Sequence, residues 1–243
     1  MSDYLFLLGG QDLEMCEIEK ILKEQKQEYV NKKLSWGAKL SAYEEYFDTT
    51  KTMVAIELIS DTTPSKNFIN IDHHNTLSTE KTAIEQVAEL LGIALSSYQK
   101  LVAVNDVSHI KGMQKSGASK EMIDDIRAKD RACQGVSQKD EHLAQLSVAE
   151  MKYLNGVAVI CSKTEKFSAV TDRVQEKKLL VYNENKLNYF GENRDVLVRK
   201  YAKEINRAEA YYGGDKNGYF GFVEDVFSKE ELKEKIKEVI EHV

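Results

Sequence analysis

The sequence predicts an α/β protein: a mostly parallel sheet flanked by helices, followed by a second, smaller α/β domain. Two observations carry this. Short apolar runs, YLFLL at 4–8, MVAIELI at 53–59 and FINI at 68–71, alternate with amphipathic helical patterns over the first 110 residues. Strands separated by helices pair in parallel and take helices on their faces. A second series of runs, VAVIC at 157–161, LLVY at 179–182, LNYF at 187–190 and YFGFV at 219–223, follows a highly charged helical stretch at 119–152. The predicted organisation is therefore a first domain over 1–118, a helical connector over 119–152 and a C-terminal domain over 153–243.

Taken in order, the run at 4–8 reads as a buried strand ended by Gly9-Gly10. Leu13, Cys16, Ile18, Ile21 and Leu22 then recur at helical spacing behind acidic residues that suit a helix N-terminus. The runs at 53–59 and 68–71 are the next two strands, with Pro64 in the turn between them. Ala83, Ile84, Val87, Ala88 and Leu91 form one apolar stripe of a helix over 79–91, which Gly92 is placed to end. LVAV at 101–104 is too short for periodicity to decide between helix and strand. In the C-terminal part a helix is expected over 195–205. Another starts at a capping box, Ser228 with Glu231 three residues on, and buries Leu232, Ile236, Val239 and Ile240.

Composition bounds the function. With 243 residues, 42% hydrophobic and 30% charged, the chain is long and apolar enough to fold without disulfides. A formal charge of −6 argues against a protein held to long nucleic acid by bulk electrostatics, though not against a small anionic substrate. Three cysteines without CxxC spacing exclude a disulfide framework or thiolate zinc site. The first residues lack a signal-peptide pattern and no stretch is long enough to span a bilayer, so a cytoplasmic protein is expected.

The chemistry is predicted at strand ends, where open parallel sheets place their ligands. Asp72-His73-His74 follows the third strand directly. Asp12 and Glu14 follow the first, Asp61 the second, and Asp106 the run LVAVN. Carboxylates crowded at one sheet edge repel unless cations sit among them, and mixed carboxylate and imidazole donors suit Mn²⁺ or Mg²⁺. Such an ion can acidify a water and clamp a phosphoryl group. Further along, four of the thirteen glycines fall between Gly213 and Gly221. Gly213-Gly214 can bring backbone N–H groups close to a phosphate, and Asn217-Gly218 can form a hairpin turn. Arg173 is the basic residue best suited to a substrate phosphate, with a surface salt bridge as its alternative. Asp130-Arg131 and Asp140-Glu141 read as helix-surface pairs.

Asp72-His73-His74, within IDHHN, resembles the signature of the DHH phosphoesterase superfamily. Asp12-Leu13-Glu14 lies where that family has an Asp-x-Asp pair, and Asp61 where it has a bridging aspartate. Asn105-Asp106 matches its fourth motif, and Gly213-Gly214 its C-terminal glycine-rich loop. The resemblance covers nearly the whole chain. It implies that His73, Asp106, Glu14 and Asp61 hold one Mn²⁺ or Mg²⁺ ion and that Asp12 with Asp61 holds a second. It also implies that His74 faces the substrate phosphate, that Asp72 orients the histidines, and that Gly213 and Gly214 contact substrate. Asp72, His74 and Asp106 would then be the catalytic set.

Three departures accompany the resemblance. Leu8 stands where the family has a histidine, which leaves one or two ions open, with His109 as a substitute donor. Glu14 replaces the usual aspartate. The short spacing to Asp72 makes Glu57, an acid inside the apolar run at 53–59, an alternative to Asp61. The implied activity is metal-dependent hydrolysis of a small phosphate ester or phosphodiester: a nucleotide, short oligonucleotide or cyclic dinucleotide. A short single-stranded nucleic acid is a further partner class. The alternatives are a catalytically weak or inactive phosphate-binding protein of the same fold and, less favoured, an interaction module using the 119–152 helices. Oligomeric state is not legible.

Overall fold

The computed structural model describes residues 3–35, 37–63, 67–74, 77, 79–207, 209–214, 218–223 and 227–243. Pro64, Asn75 and Asn217, to which the sequence assigns a turn, a motif flank and half of a hairpin turn, lie outside them. The chain divides into two compact units, Met1–Gly135 and Val136–Val243.

The first unit holds a parallel sheet in the order β2-β1-β3-β4, built from β1 (Tyr4–Leu8), β2 (Glu28–Asn31), β3 (Thr52–Ile56) and β4 (Phe68–Ile71). Its helices are α1 (Leu13–Glu24), α2 (Ala83–Leu91), α3 (Ser97–Lys115) and α4 (Lys120–Cys133). Strand alternation sorts the core in two. Phe6, Leu8, Val54 and Ile56 pack with Ile18 and Leu22 of α1 and with Ile84 and Val87 of α2. Leu5, Leu7, Met53 and Ala55 point the other way, onto Leu40 and Tyr43. These two belong to a 3₁₀ segment, Leu40–Tyr46, which covers this face. The edge strand β2, EYVN, has no apolar run and leaves no signal in the sequence.

One ambiguity of the sequence resolves here, and one predicted strand is shortened. LVAV lies inside α3, with Leu101, Val102 and Ala103 buried. The strand predicted over 53–59 stops at Ile56, because Glu57 takes a left-handed conformation (φ 52°). Gly9 explains how the chain passes this point: a Cβ there would lie 2.3 Å from the carbonyl oxygen of Glu57 and 2.5 Å from that of Ile56. The α2 helix begins at a Thr82–Glu85 capping box and ends at Gly92 in the left-handed region, as its residue types demand.

The second unit carries α5 (Gln138–Ala149), so the charged 119–152 stretch is divided, with α4 in one unit and α5 in the other. Its sheet runs β5-β6-β7-β8-β10-β9. The strands are β5 (Lys152–Leu154), β6 (Val157–Cys161), β7 (Lys178–Tyr182), β8 (Leu187–Gly191), β9 (Ala210–Gly213) and β10 (Tyr219–Phe222). Among the described residues of this sheet, only β6 and β7 pair in parallel. The helices are α6 (Phe167–Thr171), α7 (Arg194–Lys200), α8 (Ala202–Asn206) and α9 (Lys229–His242). The helix expected over 195–205 is thus two helices, joined at the buried Tyr201. The α9 helix begins at its predicted Ser228–Glu231 capping box and buries Leu232, Val239 and Ile240. No helix among the described residues is long and apolar enough to cross a membrane.

Gly9→Ala should destabilise the protein by about 1–3 kcal/mol, the usual range for overpacking. Gly10→Ala should not, because nothing lies within 4 Å of a Cβ there. Urea unfolding midpoints of the two variants would check this contrast.

Candidate metal centre

Register places the site. In the parallel ladder Leu8 pairs with Ile56, and Ile56 with Ile71, so the chain leaves β1, β3 and β4 at one level. The next residues are Gly9, Glu57 and Asp72. From that edge β1 leads through Asp12 into α1, which carries Glu14; β3 delivers Glu57; β4 delivers Asp72-His73-His74. Asp106 arrives differently. It sits on α3, not at a strand end as the sequence suggested.

His73 is the hub. Its Nε2 lies 2.9 Å from Asp106 Oδ2, 3.3 Å from Glu57 Oε1 and 3.6 Å from Glu14 Oε2. All four atoms are buried and none has a hydrogen-bond partner. The oxygens surround the nitrogen without meeting the direction an N–H would take. A buried polar atom without a hydrogen bond is costly, and a cation among these four would satisfy them together. The donor sets Glu14, His73, Asp106 and Glu57, His73, His74 each bring their ligand atoms within 4.8 Å of one another. One imidazole nitrogen and three carboxylate oxygens fit a divalent cation of the Mn²⁺ or Mg²⁺ type.

Each donor is held by its surroundings. Glu14 splits its carboxylate: Oε1 accepts the backbone N–H of Ile84 in the first turn of α2 (3.1 Å), which leaves Oε2 to face His73. Glu57 owes its direction to its left-handed backbone, while its own N–H remains bonded to the Ile71 carbonyl (2.9 Å). A non-glycine residue in that region costs about 1–3 kcal/mol and is found at functional sites. Asp12 caps α1 by accepting the Met15 N–H (2.9 Å). Asp72 Oδ1 accepts from both the backbone N–H and Nδ1 of His74, each at 2.9 Å. It therefore orients His74, whose ring lies 4.5 Å from that of His73.

Titration reflects the crowding. Burial, then the charges of Glu57, Asp106 and Glu14, push the Asp12 carboxyl well above the usual range. Burial and Asp106 push Glu14 up to about 8, against the opposing pull of His73. Burial alone would lower His73, but Asp106, Glu14 and Glu57 raise it to about 12. A proton on His73 thus occupies the place a cation would take. Burial works against an ionised Asp72, yet hydrogen bonds from His74 hold its carboxyl low, and Asp72 in turn raises His74.

Other expected residues are placed elsewhere. Asp61 is exposed and accepts from the backbone N–H (2.9 Å) and Oγ (2.7 Å) of Ser41. Glu57 stands in the cluster instead. Leu8 is fully buried in the core. His109 is exposed, at a break in α3 (φ 52°, ψ −150°), and joins neither donor set. Within the second unit, Arg173 pairs with Glu141 and donates to the Ala169 carbonyl. Gly213 faces Tyr219 across β9 and β10, and Gly214 follows in the left-handed region (φ 74°). Two groups escaped the sequence reading. Arg194 stacks over the Tyr212 ring at 5.3 Å, next to Gly213. Asp130, read as a surface pair with Arg131, is buried and bonded to the Leu13 N–H (3.0 Å). Three-to-four-residue spacing of Arg127 and Asp130 on a helix is too common to have singled them out.

No family model and no curated protein matches the sequence. Among solved structures the chain is similar to the pGpG-specific phosphodiesterase PggH from Vibrio cholerae, with TM-score 0.49 and 11% identity over 98% of this chain and 97% of that one. It is also similar to the DHH domain of a member of a family of ribosomal proteins (TM-score 0.45, 12% identity, 97% and 86% covered). A third is RecJ from Thermus thermophilus in complex with Mn²⁺ (TM-score 0.43, 9% identity, 98% and 51% covered). Likeness this distant says nothing of activity, substrate or metal, which rest on the side chains themselves.

Because a cation must displace the proton on His73 and leave Glu14 ionised, binding should release protons and tighten as pH rises. Mn²⁺ titration calorimetry between about pH 6 and pH 9, in buffers of different ionisation enthalpy, should show both effects. Affinity independent of pH would contradict this reading of the cluster.

Proposed function

We propose that this protein is a divalent-metal-dependent phosphoesterase acting on a small phosphate ester or diester: a nucleotide, short oligonucleotide or cyclic dinucleotide. One observation carries the reading. Four buried donor atoms, from Glu14, Glu57, His73 and Asp106, converge without hydrogen-bond partners. Mn²⁺ or Mg²⁺ bound there would acidify a water and offset charge on phosphoryl oxygens.

The rest of the work belongs to the chain. Glu14, Glu57, His73 and Asp106 hold the ion, with Glu57 taking the role the resemblance gave to Asp61. Asp72 fixes His74 and favours its protonated form, so that His74 donates to a phosphate oxygen or to the leaving group. Asp12 stays as the cap of α1, its carboxyl near the acids of the cage. Gly213 and Gly214 keep the part that the resemblance gives them, backbone offered to a phosphate. Arg173 is engaged by Glu141 and has no part in binding the substrate.

We assign one ion, not two. His73 belongs to both donor sets, so the two are not independent sites, and Leu8, in the place of a further histidine, is closed into the core. The same leucine favours the second reading, a phosphate-binding protein with weak or no turnover.

Elemental analysis after exposure to Mn²⁺ should find close to one ion per chain, lost in His73→Ala. Mn²⁺ should stimulate hydrolysis of a linear dinucleotide or bis(p-nitrophenyl) phosphate. Asp106→Ala should lower that rate by more than the roughly 10–100-fold typical of residues behind a metal ligand. Unchanged hydrolysis in Asp106→Ala would sink the mechanism. Tight nucleotide binding without turnover under any divalent ion would select the second reading.

A further inference from the structure

The α4 helix contributes no donor to the cage, yet it buries two charged side chains. Arg127 and Asp130 are each 5% exposed, as is Asn105 on α3. Their bonds reach the two helices that do carry donors. Asp130 Oδ1 accepts the backbone N–H of Leu13 at 3.0 Å, in the first turn of α1 between Asp12 and Glu14. Asp130 Oδ2 accepts from Arg127 Nη1 at 2.6 Å and from Gln134 Nε2 at 3.1 Å. Arg127 Nη1 also donates to Asn105 Oδ1 at 2.9 Å, and Asn105 is the residue before Asp106.

We infer that the buried Arg127–Asp130 pair is a positioning bracket for the metal cage, fixing the N-terminus of α1 against α3 so that Glu14 and Asp106 stand at ligand distance from His73. This rests on the proposed metal site. Stability alone is a poor reason for the pair, because a buried ion pair is often no more stabilising than apolar side chains of similar volume. Its bonds are instead directed at the backbone beside one ligand and the side chain beside another. A cage of this kind requires its donors to be held within about 0.5 Å. The same three helices also pack apolar side chains together, Leu13, Leu101, Val102, Met113, Ile123 and Ile126. Such contacts slide more easily than hydrogen bonds aimed at a backbone N–H.

The test separates geometry from folding. Removing one partner alone would strand a buried charge, so the informative variant is the apolar double substitution Arg127→Met with Asp130→Leu. Asn105→Leu, which keeps the ion pair and cuts only the link to α3, is the second variant. Mn²⁺ affinity is measured by calorimetry on the full chain, alongside the melting temperature of the metal-free protein. Expected is a double variant that melts close to wild type without metal but binds Mn²⁺ roughly 10–100-fold more weakly. Asn105→Leu should be weakened by a smaller factor. Wild-type affinity retained in both, within about twofold, would overturn the bracket while leaving the metal site standing. A loss of affinity only in proportion to a lowered melting temperature would overturn it too, as a purely structural role. No His73-dependent Mn²⁺ binding in the wild type would overturn the metal site and the bracket together.

Discussion

The interaction on which the structure depends is the repulsion among acids gathered around His73. Glu14, Glu57 and Asp106 point buried oxygens at one imidazole nitrogen, and Asp12 adds a fourth carboxyl close by. Without a cation the cluster is stabilised by protons, which is why His73 is raised to about 12 and Glu14 to about 8. Such an arrangement is unfavourable by itself, so the surrounding fold must impose it.

Parallel pairing does most of this. Three adjacent strands end at one level, so three separate stretches of chain turn off at the same edge. The local devices are then specific. Gly9 lets β1 leave beneath the carbonyls of Ile56 and Glu57, and the left-handed backbone of Glu57 turns its carboxylate inward. The first turn of α2 takes one oxygen of Glu14, since an amide at a helix N-terminus has no partner inside the helix. Fold and site therefore share the same residues, and changes at the sheet edge should be felt in both.

Much of this could be read from residue types. The strands β1, β3 and β4, the apolar stripe of α2 with Gly92, the α9 capping box, and the triplet Asp72-His73-His74 all have local signals, and the sheet edge follows from their order. Glu57 was visible as an acid within an apolar run, but its preference over Asp61 depends on one left-handed residue that no pattern announces. Asp106 was found for the wrong structural reason, because LVAV serves a buried helix face as well as a strand. Arg127 and Asp130 were hidden: an i, i+3 charge pair looks the same on a solvated face and in a core. The β2 strand and the 3₁₀ cover over Leu40 and Tyr43 were illegible because long-range contacts, not local propensity, decide them.

The central claim is that Glu14, Glu57, His73 and Asp106 form one cation site. It is tested most directly by anomalous diffraction from crystals soaked in Mn²⁺. The account predicts a single strong peak about 2.0–2.6 Å from His73 Nε2 and from carboxylate oxygens of those three acids. A peak bound instead through Asp61, or no peak within reach of His73, would contradict it.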